Sequence, residues 1–438
     1  MIHPRQIPSL VIADGQGNIT DFPELQMAGM AAGDFRRPHL EDLIPLPEGS
    51  ELFALPMRLP VGCDPETGEP LLLEDNPYEP NSIVQAVAAF MAPAHTAVFN
   101  CAYQSLPNAP TLPLFAYTAV GWHDNRFWVP AFRSDPDVRQ DASQYSRAKV
   151  AKKTKARLKT ELNNRLIQHL GKCCLTYGCP AARNYFLDRW EAPLPTSPQC
   201  NARCVGCISL QESGCCPSTQ DRINFVPTAK EISGMAIPHL EKAERAIVSF
   251  GQGCEGEPLL QAETIEQAIR LMRKATARGT INLNTNASLP KRVAQLAAAG
   301  LDSIRVSLNS VQEKYYNRYY RPNGYQFADV KESIRVMKQA GRFVSLNYFI
   351  LPGFTDSAAE FAALCQFVAE LAPDFIQLRN LNMDPEWYLQ ILEFSDEQKP
   401  LGMRAWFGEL QSRFPKLRYG YFNPSLDPSC TPPSMLPY

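Results

Sequence analysis

The sequence predicts an α/β fold: a partial (β/α)6 barrel of the TIM type, preceded by a β-rich N-terminal domain and a helical linker. From about residue 191 onward, strand-like apolar runs alternate with helix-like segments. Before residue 140, short apolar runs are separated by turn formers. The segment between these two regions contains few helix breakers. The length of 438 residues allows two or three domains, and 45% hydrophobic residues is typical of a globular protein.

Three hairpin signals mark the N-terminal region. Turn formers at residues 14–18, 64–68 and 123–125 each separate two runs that contain aromatic or branched apolar residues. A content of 38 prolines also favours irregular and β-rich structure outside a helical core. We therefore expect residues 1–140 to form a β-rich domain, whose role the pattern does not indicate.

Residues 143–170 are predicted to form one amphipathic helix. Leu158, Leu162, Leu166 and Leu170 recur at four-residue spacing on one face, and the opposite face carries several lysines. The basic face is typical of a solvated linker helix. A landing site for RNA or an acidic partner is the alternative, and no interleaved aromatic residues favour it. We place the linker at residues 141–190, with a cysteine-rich end.

Five strand-like runs follow, after a short strand just before Cys200. They span residues 246–250, 280–284, 303–308, 343–350 and 374–379. Apolar runs of this kind are buried on both faces in parallel sheets, and the intervals suit βαβ crossovers. We therefore expect six β/α units within residues 191–400, followed by an extension over 401–438. In such barrels the chemistry lies at the carboxyl ends of the strands.

A cysteine motif lies at one of these strand ends. Cys200, Cys204 and Cys207 have the spacing C-x3-C-x2-C. Three thiolates on one loop can bind three irons of a cubane cluster and leave the fourth iron without a protein ligand. Zinc is the alternative, but a structural zinc site needs four ligands, usually in two pairs, and no C-x2-C pair follows. Bacterial ferredoxin spacing does not match either.

A glycine-rich turn follows the second predicted strand. Its sequence, Gly251-Gln252-Gly253-Cys254-Glu255-Gly256-Glu257-Pro258, contains three glycines that let the backbone approach a ligand closely. The Glu257 carboxylate suits an ammonium group. Alone, such a turn is weak evidence, but it gains weight by following the cysteine motif.

Together these motifs resemble the radical S-adenosylmethionine (radical SAM) superfamily. Cys200, Cys204 and Cys207 look like its cysteine loop, and residues 256–258 look like its Gly-Gly-Glu-type motif. Residues 284–287, 300–310 and 351–356 resemble the family's later strand ends, although Ala287 replaces a glycine that is frequent there. The resemblance covers residues 191 to about 385.

The resemblance implies an enzyme that uses a [4Fe–4S] cluster, held by Cys200, Cys204 and Cys207, to cleave S-adenosylmethionine reductively. The 5′-deoxyadenosyl radical produced would abstract hydrogen from a substrate, either a small molecule or a peptide or protein. A reducing donor such as flavodoxin or ferredoxin is implied as a partner. No catalytic side chain is singled out. The expected S-adenosylmethionine contacts are Gly253, Glu255, Gly256, Glu257, Pro258, Asn284, Asn286, Ser307, Asn309, Pro352 and Gly353.

Further cysteines flank the loop. An auxiliary iron–sulfur cluster is one interpretation of them, although the spacings match no known pattern; buried or surface thiols are the alternative. These cysteines are Cys173, Cys174, Cys179, Cys215 and Cys216.

The rival function is a non-catalytic iron–sulfur or zinc protein that acts as a sensor, electron carrier or scaffold. A net charge of −2 does not favour a nucleic-acid partner. The N-terminus lacks an apolar signal core, and the most apolar run, residues 86–99, is too short to span a bilayer. We therefore expect a cytoplasmic protein with no membrane partner, in which the cysteines that are dense over residues 173–216 serve as metal ligands rather than disulfides.

Overall fold

The computed structural model describes residues 4–211, 214, 216–396 and 398–426. The chain divides into two compact units. The first comprises the chain up to residue 143 together with residues 349–365 and 378–415. The second comprises residues 144–348, 366–377 and the chain from residue 416. Both the four-part domain division and its boundaries remain predictions.

The N-terminal region consists of antiparallel strands, as the fold class predicts. The three predicted hairpins are present: β1 pairs with β2, β7 with β8, and β13 with β14. The strands are β1 (Ser9–Asp14), β2 (Ile19–Met27), β3 (Gly29–Ala31), β4 (Asp34–Arg36), β5 (Leu43–Pro45), β6 (Glu51–Leu55), β7 (Arg58–Cys63), β8 (Pro70–Leu72), β9 (Val84–Phe90), β10 (His95–Ala97), β11 (Asn100–Cys101), β12 (Tyr103–Ser105), β13 (Gly121–His123) and β14 (Arg126–Arg133).

The expected single helix over residues 143–170 is wrong, because the chain breaks there between two helices, and a third helix follows within residues 141–190. They are α1 (Arg147–Thr160), α2 (Arg165–Thr176) and α3 (Pro180–Phe186). The Asn164 side chain accepts hydrogen bonds from the N–H groups of Leu166 and Ile167, so it caps a new helix rather than continuing the old one. Leu162, predicted on the apolar stripe, lies in the break and is 71% exposed.

The strands that follow the linker helices form a parallel sheet. Across the described residues it contains seven strands in sequence order, one more than predicted. The strands are β15 (Glu191–Pro193), β16 (Ile247–Phe250), β17 (Thr280–Thr285), β18 (Ser303–Leu308), β19 (Phe343–Ile350), β20 (Phe375–Asn380) and β21 (Arg418–Gly420). The additional strand is β21, which has only three residues and no apolar run.

Helices connect the parallel strands, as βαβ crossovers require. They are α4 (Ala229–Lys242), α5 (Ala262–Ala275), α6 (Pro290–Ala299), α7 (Glu313–Tyr320), α8 (Phe327–Gln339), α9 (Ala358–Leu371), α10 (Pro385–Leu392) and α11 (Met403–Arg413). Every residue of β16 and β17 is buried, as is typical of parallel strands that are covered on both faces. Because neighbouring strands are parallel, their carboxyl ends meet at one edge of the sheet. None of the described helices is long and apolar enough to cross a membrane.

Candidate functional site

The cysteine loop begins a few residues after β15 and is anchored through its backbone to α7. The N–H of Arg203 donates to the carbonyl of Tyr320 at 2.9 Å, and the N–H of Val205 donates to the carbonyl of Tyr319 at 3.0 Å. The three cysteines of the loop are partly buried and free of disulfides. The loop backbone is therefore held while its thiols keep some access to solvent.

The three thiols influence one another electrostatically. Burial raises the pKa of Cys200 to about 11, and the carboxylate of Glu257 adds to that rise. Burial, with contributions from Cys200 and Cys207, also raises the pKa of Cys204. These two thiols are therefore protonated at neutral pH without metal, and metal binding must release their protons. A guanidinium nitrogen of Arg222 donates a hydrogen bond to the Cys207 sulfur at 3.3 Å.

The glycine turn after β16 lies directly against the start of the cysteine loop. The N–H of Gly256 donates to the carbonyl of Ser197 at 2.7 Å, and the N–H of Glu257 donates to the carbonyl of Gln199 at 2.8 Å. A Cβ atom at Gly256 would lie 2.0 Å from the Gln199 carbonyl oxygen. Only glycine permits this approach, so Gly256 is required to dock the two segments.

Glu255 joins the same two segments through a buried carboxylate. Its Oε2 accepts hydrogen bonds from the N–H groups of Thr196 at 2.7 Å and Ser197 at 2.9 Å. Its Oε1 accepts a hydrogen bond from the N–H of Gln252 at 2.8 Å. Burial raises the pKa of Glu255 to about 7, although these N–H donors oppose the rise. In this structure, Glu255 organises the chain around the cysteine loop.

Glu257 holds the next strand end in place. Its carboxylate accepts hydrogen bonds from the Thr285 hydroxyl at 2.5 Å and from the N–H of Asn286 at 2.8 Å. It also accepts one from the N–H of Leu259, which caps a short 3-10 helix beginning at Pro258. Burial raises the pKa of Glu257 to about 7. Much of its acceptor capacity is thus used within the protein.

The two asparagines at the end of β17 differ in how their side chains are used. The Asn286 Nδ2 donates to the side-chain oxygen of Asn201, in the cysteine loop, at 2.8 Å. Asn284 is buried, and its Oδ1 accepts a hydrogen bond from Asn282 at 2.8 Å. Its Nδ2, however, has no partner within the part of the chain that the structure describes. A buried donor of this kind suits a ligand acceptor.

The remaining residues predicted to contact S-adenosylmethionine differ in burial and in their hydrogen bonds. Ser307 is partly buried on β18, whereas Asn309 is fully buried and donates to the carbonyl of Tyr315 at 3.1 Å. A Cβ at Gly253 would meet the side chain of Gln220, which could move away. Pro352 and Gly353 lie in the turn after β19 and belong to the first unit, where the N–H of Gly353 donates to the Asp356 carboxylate at 2.6 Å.

A buried polar network lies on one face of the parallel sheet, and sequence reasoning missed it. The Ser249 hydroxyl donates to the Glu191 carboxylate at 2.8 Å, and the Ser303 hydroxyl donates to Asn282 at 2.8 Å. Asn423, which follows β21, donates to the same Glu191 oxygen at 2.8 Å. Single polar residues at alternate strand positions were the available signal, since they interrupt otherwise apolar runs.

Among the described residues, the additional cysteines do not all converge on one candidate metal-binding group. The sulfur of Cys173 lies 3.6 Å from the Nε2 atom of His169. These two residues form a group with Cys254. The hydrogen bond with Cys254 is the main reason that the pKa of Cys173 falls to about 5. Cys174 instead contacts the Thr154 hydroxyl at 3.4 Å. Cys215, named in the auxiliary-cluster interpretation, lies outside the described residues.

The parallel strands carry the thiol-rich loop and the glycine turn near their carboxyl ends, which is where barrel enzymes place their active sites. Sequence comparison identifies the family. Residues 194–365 match the model of the Radical SAM superfamily. This region is therefore a radical SAM domain, and the resemblance seen in the motifs is confirmed.

Curated relatives agree with this family. GTP 3′,8-cyclase of Aquifex aeolicus is 28% identical over 230 residues, which are 48% of this chain and 65% of the relative. A probable dual-specificity RNA methyltransferase RlmN of a Synechococcus strain is 29% identical over 183 residues, which are 41% of this chain and 48% of the relative. The chain thus spans between about half and two thirds of the length of these two proteins.

Solved structures have lower sequence identity to the chain. The native anSMEcpe structure with bound AdoMet is 18% identical, covers 44% of this chain and 52% of its own, and has a TM-score of 0.35. Methylornithine synthase is 13% identical, covers 63% of this chain and 72% of its own, and has a TM-score of 0.38.

Radical SAM enzymes use a [4Fe–4S] cluster and S-adenosylmethionine. The residues present here fit both groups. The cysteine loop offers three thiols, of which Cys200 and Cys207 lie close enough to Cys204 to raise its pKa. Asn284 offers a buried donor with no partner among the described residues. The Gly256 backbone lies against the loop.

Proposed function

We propose that this protein cleaves S-adenosylmethionine reductively at a [4Fe–4S] cluster and uses the resulting 5′-deoxyadenosyl radical to abstract hydrogen from a substrate. The observation that carries the proposal is the docking of the glycine turn on the cysteine loop. Gly256, Glu257 and Glu255 all bond to residues 196–199, directly before Cys200. A non-catalytic iron–sulfur or zinc protein would not need this paired arrangement.

Residue roles follow from these positions. Cys200, Cys204 and Cys207 would ligate the cluster, and the backbone around Gly253–Glu257 would hold the methionyl amine. Asn284 would donate its unused N–H to the carboxylate or ribose, with Asn286, Ser307 and Asn309 nearby in sequence on the same or the next strand end. Pro352 and Gly353 are proposed adenine contacts. The protein orients the cofactor and excludes competing reactions, while the cofactor supplies the chemistry.

The test is anaerobic reconstitution with iron and sulfide, reduction with dithionite, and detection of 5′-deoxyadenosine after S-adenosylmethionine is added. We expect product from the wild type and none from Cys204→Ala. Cys365→Ala is the matched control, because that partly exposed thiol lies on α9 beside Arg413. Lack of product from wild-type protein that carries a full cluster would refute the proposal.

For the substrate, we propose a peptide or protein, bound by the N-terminal β-rich region through strand addition. The support is the edge strand β4 (Asp34–Arg36), which pairs on one side with β3 in the three-stranded sheet. Its exposed and partly buried residues suit pairing with an extended segment. A flavodoxin or ferredoxin is the proposed electron donor.

The relatives' names supply competing substrates for a direct comparison. The reconstituted enzyme is incubated separately with a deuterated peptide pool, deuterated GTP and deuterated RNA. Deuterium found in 5′-deoxyadenosine identifies the hydrogen donor. Transfer from the peptide pool supports the proposal, whereas transfer from GTP or RNA alone contradicts the proposed substrate and leaves the radical chemistry intact.

A further inference from the structure

A second group of side chains with metal-ligand chemistry involves none of the three cysteines of the cysteine loop. His169 and Cys173 are four residues apart on α2 and therefore share one helix face. Cys254 comes from the glycine turn after β16. The ligand atoms of these three residues all lie within 4.8 Å of one another. Cys173 and Cys254 are buried, and His169 is partly buried.

The distance within this group fits a tetrahedral metal. Zinc binds sulfur at about 2.3 Å and histidine nitrogen at about 2.0–2.1 Å, which places the two ligand atoms about 3.6 Å apart in a tetrahedron. The Nε2 atom of His169 and the sulfur of Cys173 are 3.6 Å apart. A thiol–imidazole hydrogen bond has a similar length, so the third ligand atom, from Cys254, distinguishes a metal site from a simple pair.

The composition of the group also restricts its metal. One imidazole and two thiols are the nitrogen and sulfur donors that zinc prefers, whereas a cubane cluster is usually held by thiolates. Cys174, the neighbour of Cys173, contacts Thr154 instead. The helix therefore directs one of its two adjacent thiols to this group.

We propose that His169, Cys173 and Cys254 bind a zinc ion that links α2 to the glycine turn, with water as the fourth ligand. The consequence is local. Cys254 immediately precedes Glu255, whose carboxylate holds the start of the cysteine loop. The Cys254 carbonyl also accepts a hydrogen bond from the N–H of Ile223 at 2.8 Å. Zinc would therefore fix the turn on which the loop is docked.

This proposal does not depend on the radical chemistry, and its test removes the three thiols of the cysteine loop. In the full chain, the variant C200A/C204A/C207A is purified without chelator, and its zinc, iron and acid-labile sulfide are measured. We expect one zinc ion per chain and no sulfide. Adding Cys173→Ser or Cys254→Ser should abolish the zinc. Adding Cys174→Ser, the matched control, should leave it unchanged.

Cobalt substitution gives a second readout. Co²⁺ bound to two thiolates should show a sulfur-to-metal charge-transfer band, and loss of either thiolate should remove this band together with the bound metal. If the serine variants fail to fold, His169→Gln serves instead, because that side chain is only partly buried. After both proteins are stripped with a chelator, added zinc should raise the melting temperature of the triple variant but not that of its His169→Gln derivative.

Three results would overturn the proposal. The first is zinc that persists in both serine variants. The second is iron with acid-labile sulfide at this site, which would favour an auxiliary cluster. The third is a Cys173–Cys254 disulfide in the intact mass spectrum of protein that binds no zinc.

Discussion

The buried carboxylate of Glu255 accepts a hydrogen bond from the backbone N–H of Ser197 at 2.9 Å. The same oxygen accepts a second one from Thr196 at 2.7 Å, and the other oxygen bonds to Gln252 within the glycine turn. A single side chain thus connects the segment that precedes the three cysteines with the turn proposed to hold the methionyl amine. The cysteine loop and the glycine turn are therefore joined directly by hydrogen bonds within the protein.

Glu255→Gln should destabilise this connection. A glutamine keeps the shape but replaces one acceptor oxygen with an NH₂ group, which must face a backbone donor. An unsatisfied buried donor costs about 1–3 kcal/mol. We expect urea unfolding to show a loss of that size and reconstituted protein to bind less iron. Glu263→Gln is the control, because Glu263 is 76% exposed and pairs with Arg292 on the surface. Equal stability of the two variants would contradict the role given to Glu255.

Gly256→Ala should prevent the docking of the turn on the loop. The added Cβ would lie 2.0 Å from the carbonyl oxygen of Gln199, a backbone atom that cannot rotate away. We expect little iron after reconstitution, measured against protein concentration. Gly234→Ala, within helix α4, is the matched control. Its Cβ would approach only the Asn164 side chain, at 4.0 Å, and alanine is favoured over glycine in helices by about 1 kcal/mol. Normal iron content in the Gly256 variant would contradict the prediction.

The sequence allowed the prediction of local features of this site and missed the long-range ones. Cys200, Cys204 and Cys207 form one short motif, and the buried strands appear as continuous apolar runs. The partners of Glu255, in contrast, lie 58 and 59 residues earlier in the chain. No periodicity connects residues so far apart. The ligand roles proposed for the individual residues remain predictions.

The errors in the fold have equally specific causes. A four-residue leucine spacing continued through the break before Asn164, although asparagine caps a helix more readily than it continues one. Strand β21 is too short to give a pattern, and its recognition depends on pairing with β20. Asn423 follows β21, so it could not be predicted as part of the polar network while that strand was unrecognised.

Asn284→Ala should weaken the binding of S-adenosylmethionine more than it destabilises the protein. Its Nδ2 is buried and has no partner among the described residues, so its removal costs the folded chain little through that atom. Loss of one hydrogen bond to the cofactor corresponds to about 1–2 kcal/mol, or roughly a 5–30-fold weaker affinity in equilibrium dialysis. Ser303→Ala should destabilise the protein more than it weakens the binding of S-adenosylmethionine, because its hydroxyl donates to Asn282 within the protein. Unchanged affinity in the Asn284 variant would exclude this contact.

The lowered pKa of Glu231 predicts that the stability of the second unit depends on pH. Two hydrogen bonds at 2.8 Å join its carboxylate to Arg165, and this contact is the main reason that its pKa falls from 4.5 to about 2. A carboxyl group with a lowered pKa in the folded state binds its proton more readily when unfolded. Its stabilising contribution is therefore complete above pH 4.5 and is lost as the pH falls through about 2.

Glu231→Gln tests this contribution, since glutamine retains the capping box with Thr228 but loses the charge. We expect a loss of about 0.5–1 kcal/mol at pH 7, because Arg165 is half exposed and the pair is screened by solvent. The difference from the wild type should shrink as the pH falls from 4.5 toward 2. In an Arg165→Met background the same substitution should have little further effect. Glu241→Gln, an exposed position on α4, should show no pH-dependent difference, and an equal effect at both positions would show that the loss reflects net charge rather than this pair.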